Sequence, residues 1–152
     1  MFFIDCEFNG FGGELITMAI VADDGNEFYV DVETYDYYPC EFVRKYVLPV
    51  IDVPGAEATP IARTELPQAI SNFLCQYGSV HLVADWPDDI KYFCESLITD
   101  PGERVDTPPL TMEIIREDGD SEVPHNALCM LAVSVMLIKM FVILFLLKNL
   151  IQ

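Results

Sequence analysis

From residue 2 to residue 8 apolar and acidic positions alternate. Phe2, Ile4, Cys6 and Phe8 fall on one side, and Asp5 and Glu7 on the other. A period of two belongs to a strand, so the pattern predicts a first strand with two carboxylates leaving one face. Asn9 to Gly13 is a glycine-rich turn, and Glu14 to Ala22 (ELITMAIVA) reads as a second, mostly buried strand. Asp23-Asp24-Gly25-Asn26 carries hairpin-turn residues, and Glu27 to Glu33 alternates again as a third strand. The chain therefore opens with a three-stranded meander whose first strand holds the acidic pair.

The spacing then becomes helical. Pro39 to Leu48 places Phe42, Val43, Tyr46 and Val47 on one side, and Pro49 ends the helix. Ile51 to Ala62 is rich in Pro, Gly and Ala and is predicted as loop. Thr64 is placed to cap a helix over Glu65 to Tyr77, where Leu66, Ile70, Phe73, Leu74 and Tyr77 form an apolar stripe that Gly78 stops. Ser79 to Ala84 predicts a fourth strand and Asp89 to Ile98 a helix. Asp100 to Pro109 is predicted as loop, Leu110 to Ile115 as a fifth strand, and Arg116 to Pro124 as a polar, mobile connection. Three strands followed by alternating helices and strands predict an α/β mixed sheet with helices against it.

A length of 152 residues suits one domain with a sizeable core. Charge narrows the partners. All 25 acidic residues but only six of the eight basic ones precede residue 128, so this part carries about −19. Such a field opposes simple electrostatic capture of nucleic acid or an anionic membrane. It is compatible with a nucleic-acid enzyme that brings divalent cations to its site. The five cysteines are odd in number and lack zinc-ligand or C-x-x-C spacing, which predicts free thiols in a reducing, cytoplasmic setting. An acid at position 5 and no basic n-region argue against a signal peptide.

Three groups could carry chemistry. Asp5 and Glu7 repel each other, and a divalent cation between them would remove that cost; the alternative is an edge strand with a solvated acidic face. Asp85, Asp88 and Asp89 sit where the fourth strand passes into a helix, a common place for a site in α/β sheets; the alternative is capping by Asp88 with Asp89 favouring the helix dipole. His125 in Pro124-His125-Asn126-Ala127-Leu128 is a candidate catalyst or a helix-start residue. His81, in an apolar strand, reads as structural.

The Asp5-Cys6-Glu7-Phe8 start, the glycine-rich turn into Glu14-Leu15-Ile16, Asp85-Trp86-Pro87-Asp88-Asp89 and Pro124-His125-Asn126-Ala127-Leu128 come in the order of the DEDDh exonucleases. Over residues 1 to about 128 the chain resembles the small bacterial and phage 3′–5′ exoribonuclease-like branch. The resemblance implies a ribonuclease H-like fold that hydrolyses phosphodiester bonds at 3′ ends of RNA or single-stranded nucleic acid. It implies Asp5 and Glu7 as metal ligands, joined by Asp89 or alternatively Asp85, for two Mg²⁺ or Mn²⁺ ions. It implies His125 as general base. Phe8, Asn9, Gly10, Leu15 and Ile16, from the segment after the first motif, would hold the terminal nucleotide. One position departs: the last metal ligand of the family, five residues after the His, is Met130 here. A thioether cannot replace a carboxylate for a hard cation, so the resemblance also implies impaired metal binding and weak or absent activity. A nuclease-fold binding module without catalysis is the alternative.

Residues 129–152 form a second region. Leu128 to Leu147 is nearly all apolar, interrupted by Lys139. It reads in three ways: a frameshift product, since the resemblance and the acidic composition stop together; a C-terminal membrane anchor, in which apolar residues outweigh the roughly +3 kcal/mol of one central Lys; or a buried helix that forms a homo-oligomer.

Overall fold

The computed structural model describes residues 1–33, 38–115 and 125–131. Their core is a six-stranded mixed sheet in the order β4-β3-β2-β1-β5-β8. The strands are β1 (Phe2–Phe8), β2 (Leu15–Ala22), β3 (Glu27–Val32), β4 (Thr59–Ile61), β5 (Val80–Ala84) and β8 (Leu110–Ile114). A separate hairpin joins β6 (Ile98–Asp100) to β7 (Glu103–Arg104). Among the described residues, α1 (Leu66–Leu74), α2 (Pro87–Ser96) and the helical turns at 41–50 and 127–131 complete the α/β arrangement.

The predicted meander is present. β1 pairs antiparallel with β2, setting Asp5 opposite Ala19 and Glu7 opposite Thr17, and β2 pairs antiparallel with β3. The register shifts between Glu7 and Phe8, where the chain leaves the strand. Gly13 is required in the turn that follows, because a Cβ there would collide with the Asn9 carbonyl oxygen. Beyond the meander the sheet is parallel: β5 lies beside β1, and β8 beside β5. β1 is therefore a central strand, not a solvated edge.

The alternation in β1 sorts its residues to two cores. Phe2, Ile4 and Cys6 join Met18, Ile20, Leu82 and the inner faces of α1 (Leu66, Ile70, Leu74) and α2 (Tyr92, Phe93). Phe3 faces the other way, with Ala19, Val21, Tyr29, Val83, Ala127, Leu128 and Leu131. Every residue of β2 is buried, as expected of a strand paired on both edges and covered on both faces. The first turn of the apolar C-terminal region, through Leu131, thus packs in the domain.

Four expectations change. Residues 51–62 are not all loop: Thr59–Ile61 adds an edge strand parallel to β3, where Pro60 is tolerated because its missing N–H faces no partner strand. Residues 100–109 are not all loop, because β6 and β7 turn through Gly102, with φ 84°. Thr64 does not cap α1; Glu65 is at the cap position with no side-chain bond, and Pro67 occupies the first turn. The helix expected over 39–48 runs instead over residues 41–50, with Pro49 inside its closing 3₁₀ turn Leu48–Val50 and not ending it, and its apolar side is split. Val43 and Val47, each 1% exposed, point into a small core with Ile16 and Ile51, while Phe42 and Tyr46 stay half exposed.

Among the described residues no helix is long and apolar enough to cross a membrane. The polar 116–124 connection and the anchor, frameshift and oligomer readings of the C-terminal tail fall on residues outside those described. Cys6, Cys40, Cys75 and Cys94 are free thiols.

Candidate functional site

Asp5 leaves the middle of β1, and α2 starts beside it after the end of β5. A backbone-to-side-chain bond fixes this approach: the Cys6 N–H donates to Asp89 Oδ1 at 3.1 Å. Asp5, Asp85 and Asp89 each offer an oxygen, all within 4.8 Å of one another. Both candidates for the second acidic motif therefore join Asp5, Asp89 from a buried position and Asp85 from an exposed one. Asp88 takes no part. Its Oδ2 accepts the indole N–H of Trp86 at 3.1 Å, and the helix cap position is Trp86, with no side-chain cap bond. Capping by Asp88 is thus corrected.

The three aspartates lie in a cleft of about 370 Å³ with Cys6, Glu7, Phe8, Trp86, His125 and Met130. Glu7 stands beside the aspartate group on the same strand, and its Oε1 is 3.9 Å from His125 Nδ1. No Lys or Arg lines the cleft among the described residues. Burial, then the charges of Asp89, Glu7 and Asp85, raise the Asp5 carboxyl well above its usual range. Burial and then Asp85 raise Asp89 to about 8, against the lowering effect of the Cys6 and Trp86 N–H groups. Burial raises Glu7 to about 7. The second oxygens of Asp5 and Asp89 are buried without a hydrogen-bond partner. Such unsatisfied acceptors are costly in a fold that gains nothing from them.

His125 arrives from a distant part of the chain. It has φ 65°, a conformation unusual for a residue with a side chain. The next residue explains how it is held. Asn126 is fully buried; its Nδ2 donates to the carbonyls of Val50 and Ile51 at 2.7 and 3.0 Å, and its Oδ1 accepts the Cys129 N–H at 2.9 Å. Asn126 therefore caps the helical turn that starts at Ala127 and ties it to the backbone of Val50 and Ile51. That turn carries Met130 into the cleft.

No protein-family model matches this sequence, and no curated protein does. The donor set has to be weighed on its own chemistry. Clustered carboxylates with idle buried oxygens fit a hard divalent cation that takes oxygen ligands. Asp5, Asp85 and Asp89 are the residues that could hold one, with Glu7 adjacent. Met130 does not fit such an ion, so the side of the cleft where the resemblance expects a further carboxylate is apolar.

The residues expected to hold a terminal nucleotide divide. Phe8 lines the cleft and packs its ring against Tyr92 at 4.9 Å. Asn9 uses its side chain within the protein: Nδ2 donates to Tyr38 O and Oδ1 accepts the Cys40 N–H. Gly10 forms the turn itself, with φ 69°. Leu15 and Ile16 are each 2% exposed and spend their side chains in the cores. His81 lies outside the cleft, satisfied by Thr111 at 2.8 Å and Glu113 at 3.3 Å on β8. Sequence reasoning missed Asn126 and Trp86 as site-building residues. A buried-capable Asn directly before an apolar helical run was the one available signal for the first.

Proposed function

We propose that this chain is a DEDDh-type 3′–5′ exonuclease-like domain with a ribonuclease H-like sheet, directed at the 3′ end of RNA or another single-stranded nucleic acid. The observation that carries this reading is the meeting of Asp5, Glu7, Asp85, Asp89 and His125 on one cleft from three separate parts of the chain. Acids that merely solvate a surface have no reason to converge in a half-buried cleft beside a histidine. Asp5 and Asp89, with Asp85 or Glu7 completing the set, would hold Mg²⁺ or Mn²⁺. When bound, such ions supply activation of a water and stabilisation of the leaving 3′ oxygen of a phosphodiester.

The protein's own groups have distinct tasks. His125 takes a proton from the attacking water, and Glu7 Oε1, 3.9 Å from Nδ1, stabilises the imidazolium that results. Phe8 and Trp86 wall the cleft with apolar surface against the terminal nucleotide. The Cys6 N–H holds Asp89 in orientation. With Met130 in the cleft a second cation would lack a carboxylate ligand, which would make the activity weak or absent. A specific observation, Met130 in the cleft, also favours a second reading: a binding module that retains the nuclease fold without turnover.

The test is Met130→Asp. The variant should shorten a labelled oligonucleotide from its 3′ end in Mg²⁺ or Mn²⁺, faster than the parent by a factor of a hundred or more. Absence of product together with absence of divalent-induced stabilisation in that variant would sink the nuclease reading. Metal binding and oligonucleotide binding without product would leave the binding module.

A further inference from the structure

We infer that Phe42 and Tyr46, with Arg44 and Lys45 on the same helical turn, form a stacking platform for the bases of a single strand whose 3′ end lies in the acidic cleft. This rests on the nuclease reading of the cleft and adds where the rest of the strand lies.

The helical turn Val43–Val47 has already met its packing needs. Val43 and Val47 are each 1% exposed and fill the small core with Ile16 and Ile51. Phe42 and Tyr46 nevertheless remain 50% and 45% exposed, four residues apart on the outer side. Their ring centroids are 5.1 Å apart. Phe42 stands edge-on to His125 at 5.0 Å, and Tyr46 lies 6.4 Å from it. Glu7, His125, Phe42 and Tyr46 thus run as one continuous wall from the cleft outward.

Charge selects the occupant. The chain has a net charge of −17, so a polyanion needs local cations to settle on it. Two of the six basic residues before position 128 are adjacent here, both exposed. Lys45 Nζ sits 4.9 Å from the centre of the Tyr46 ring. Exposed rings interleaved with cations, beside a cleft suited to phosphodiester chemistry, match the needs of a single strand: π-faces for the bases and charge for the phosphates. The platform is also fixed relative to the cleft, because Asn9 at the end of β1 holds both Tyr38 O and the Cys40 N–H at the start of this segment.

The experiment measures binding of 5′-labelled oligouridylates by fluorescence anisotropy with the full chain, using Ca²⁺ in place of Mg²⁺ to prevent cleavage. Lengths run from two to about nine nucleotides. Wild-type affinity should rise tenfold or more with length, and in Phe42→Ala/Tyr46→Ala that rise should disappear. Phe42→Leu/Tyr46→Leu keeps apolar volume and guards against a folding defect; it too should lose the rise. Arg44→Ala/Lys45→Ala should reduce the magnitude of the slope of log affinity against log salt by about 1.4.

A wild-type rise that survives in either ring variant overturns the platform while leaving the metal cleft intact. Length-dependent binding that needs no divalent ion but collapses in the ring variants keeps the platform and overturns the metal reading. No binding of any length by wild type overturns both, and leaves the patch to a protein partner.

Discussion

Replacing Asp89 by Asn should stabilise the metal-free protein, and the gain should grow with pH. The Asp89 carboxyl has a raised pKa, about 8 against an ordinary value of 3.8. Below about pH 4 the carboxyl is protonated in folded and unfolded chains alike, so its contribution to stability is fully present. Between pH 4 and 8 the unfolded chain releases the proton and the folded chain retains it, so stability falls. Above 8 the loss is complete. Asparagine carries no charge at any of these pH values. Its Oδ1 still accepts the Cys6 N–H, and its amide can donate to a neighbouring carboxylate.

The magnitude follows from the geometry. Asp85 is the largest charged contributor to this rise, with oxygens of the group within 4.8 Å. One unit-charge repulsion at that distance is about 3.5 kcal/mol at an effective dielectric of 20. The whole rise from 3.8 to about 8 sets a ceiling of about 6 kcal/mol. We expect Asp89→Asn to gain about 3 kcal/mol at pH 9 and close to nothing at pH 4, or roughly 6–12 °C in Tm at the higher pH. Urea denaturation in EDTA at pH 4, 6.5 and 9 measures it. A variant less stable than its parent at every pH refutes the reasoning, because Asp89 would then be a stabilising helix-start acid and not a strained ligand.

Two further outcomes follow from the same site. Divalent cations should raise Tm by several degrees at pH 8.5 and by little at pH 5.5, because Glu7 and Asp89 must lose protons near 7 and 8 before they can act as ligands. At a hundredfold excess over Kd the gain is about 2.7 kcal/mol, and differential scanning fluorimetry against Mg²⁺, Mn²⁺ and K⁺ separates ligation from ionic strength. Asn126→Ala removes three hydrogen bonds of a buried side chain and leaves the Val50 and Ile51 carbonyls to find new donors. It should cost about 2–4 kcal/mol and displace His125, so any activity of the Met130→Asp form should fall with it.

Local periodicity made part of this fold legible. The two-residue alternation of Phe2–Phe8 identified β1 and placed Asp5 and Glu7 on one face, and the apolar run of β2, broken by Thr17 alone, identified a buried strand. Those signals are local, and a strand's side-chain period is fixed by its backbone. β4 was not legible because three residues containing Pro60 have no period to read; only the neighbouring β3 makes them a strand. The split of Phe42 and Tyr46 from Val43 and Val47 could not be read either. Four apolar residues over one and a half turns look like one face, until a core too small to cover all of them shows which are left outside.

At the site, the acids were readable as candidates but their partnership was not. The choice between Asp85 and Asp89 stayed open in sequence because the deciding contact spans 83 residues, from the Cys6 N–H to Asp89 Oδ1. Both aspartates turn out to share the group with Asp5. Asn9, expected near a nucleotide, is a brace between β1 and the 38–40 segment; polar residues after a motif look alike whether they hold a ligand or the chain.

The Asn126 anchor has a consequence for how the cleft breathes. The three aspartates belong to β1 and the β5–α2 junction, elements packed into the largest core. Among the described residues, His125 and Met130 are held through Asn126, the Phe42 and Tyr46 rings against His125, and the apolar contacts of Ala127, Leu128 and Leu131. Detaching that turn exposes far less surface than unfolding the sheet, so it is a lower-energy opening. Amide exchange should therefore show two classes. The Cys129 and Met130 amides should exchange early, while those of β1 and β2 wait for global unfolding. On the nuclease reading proposed above, the open form would keep the acid cluster without its base: a state able to hold a cation but not to turn over a strand.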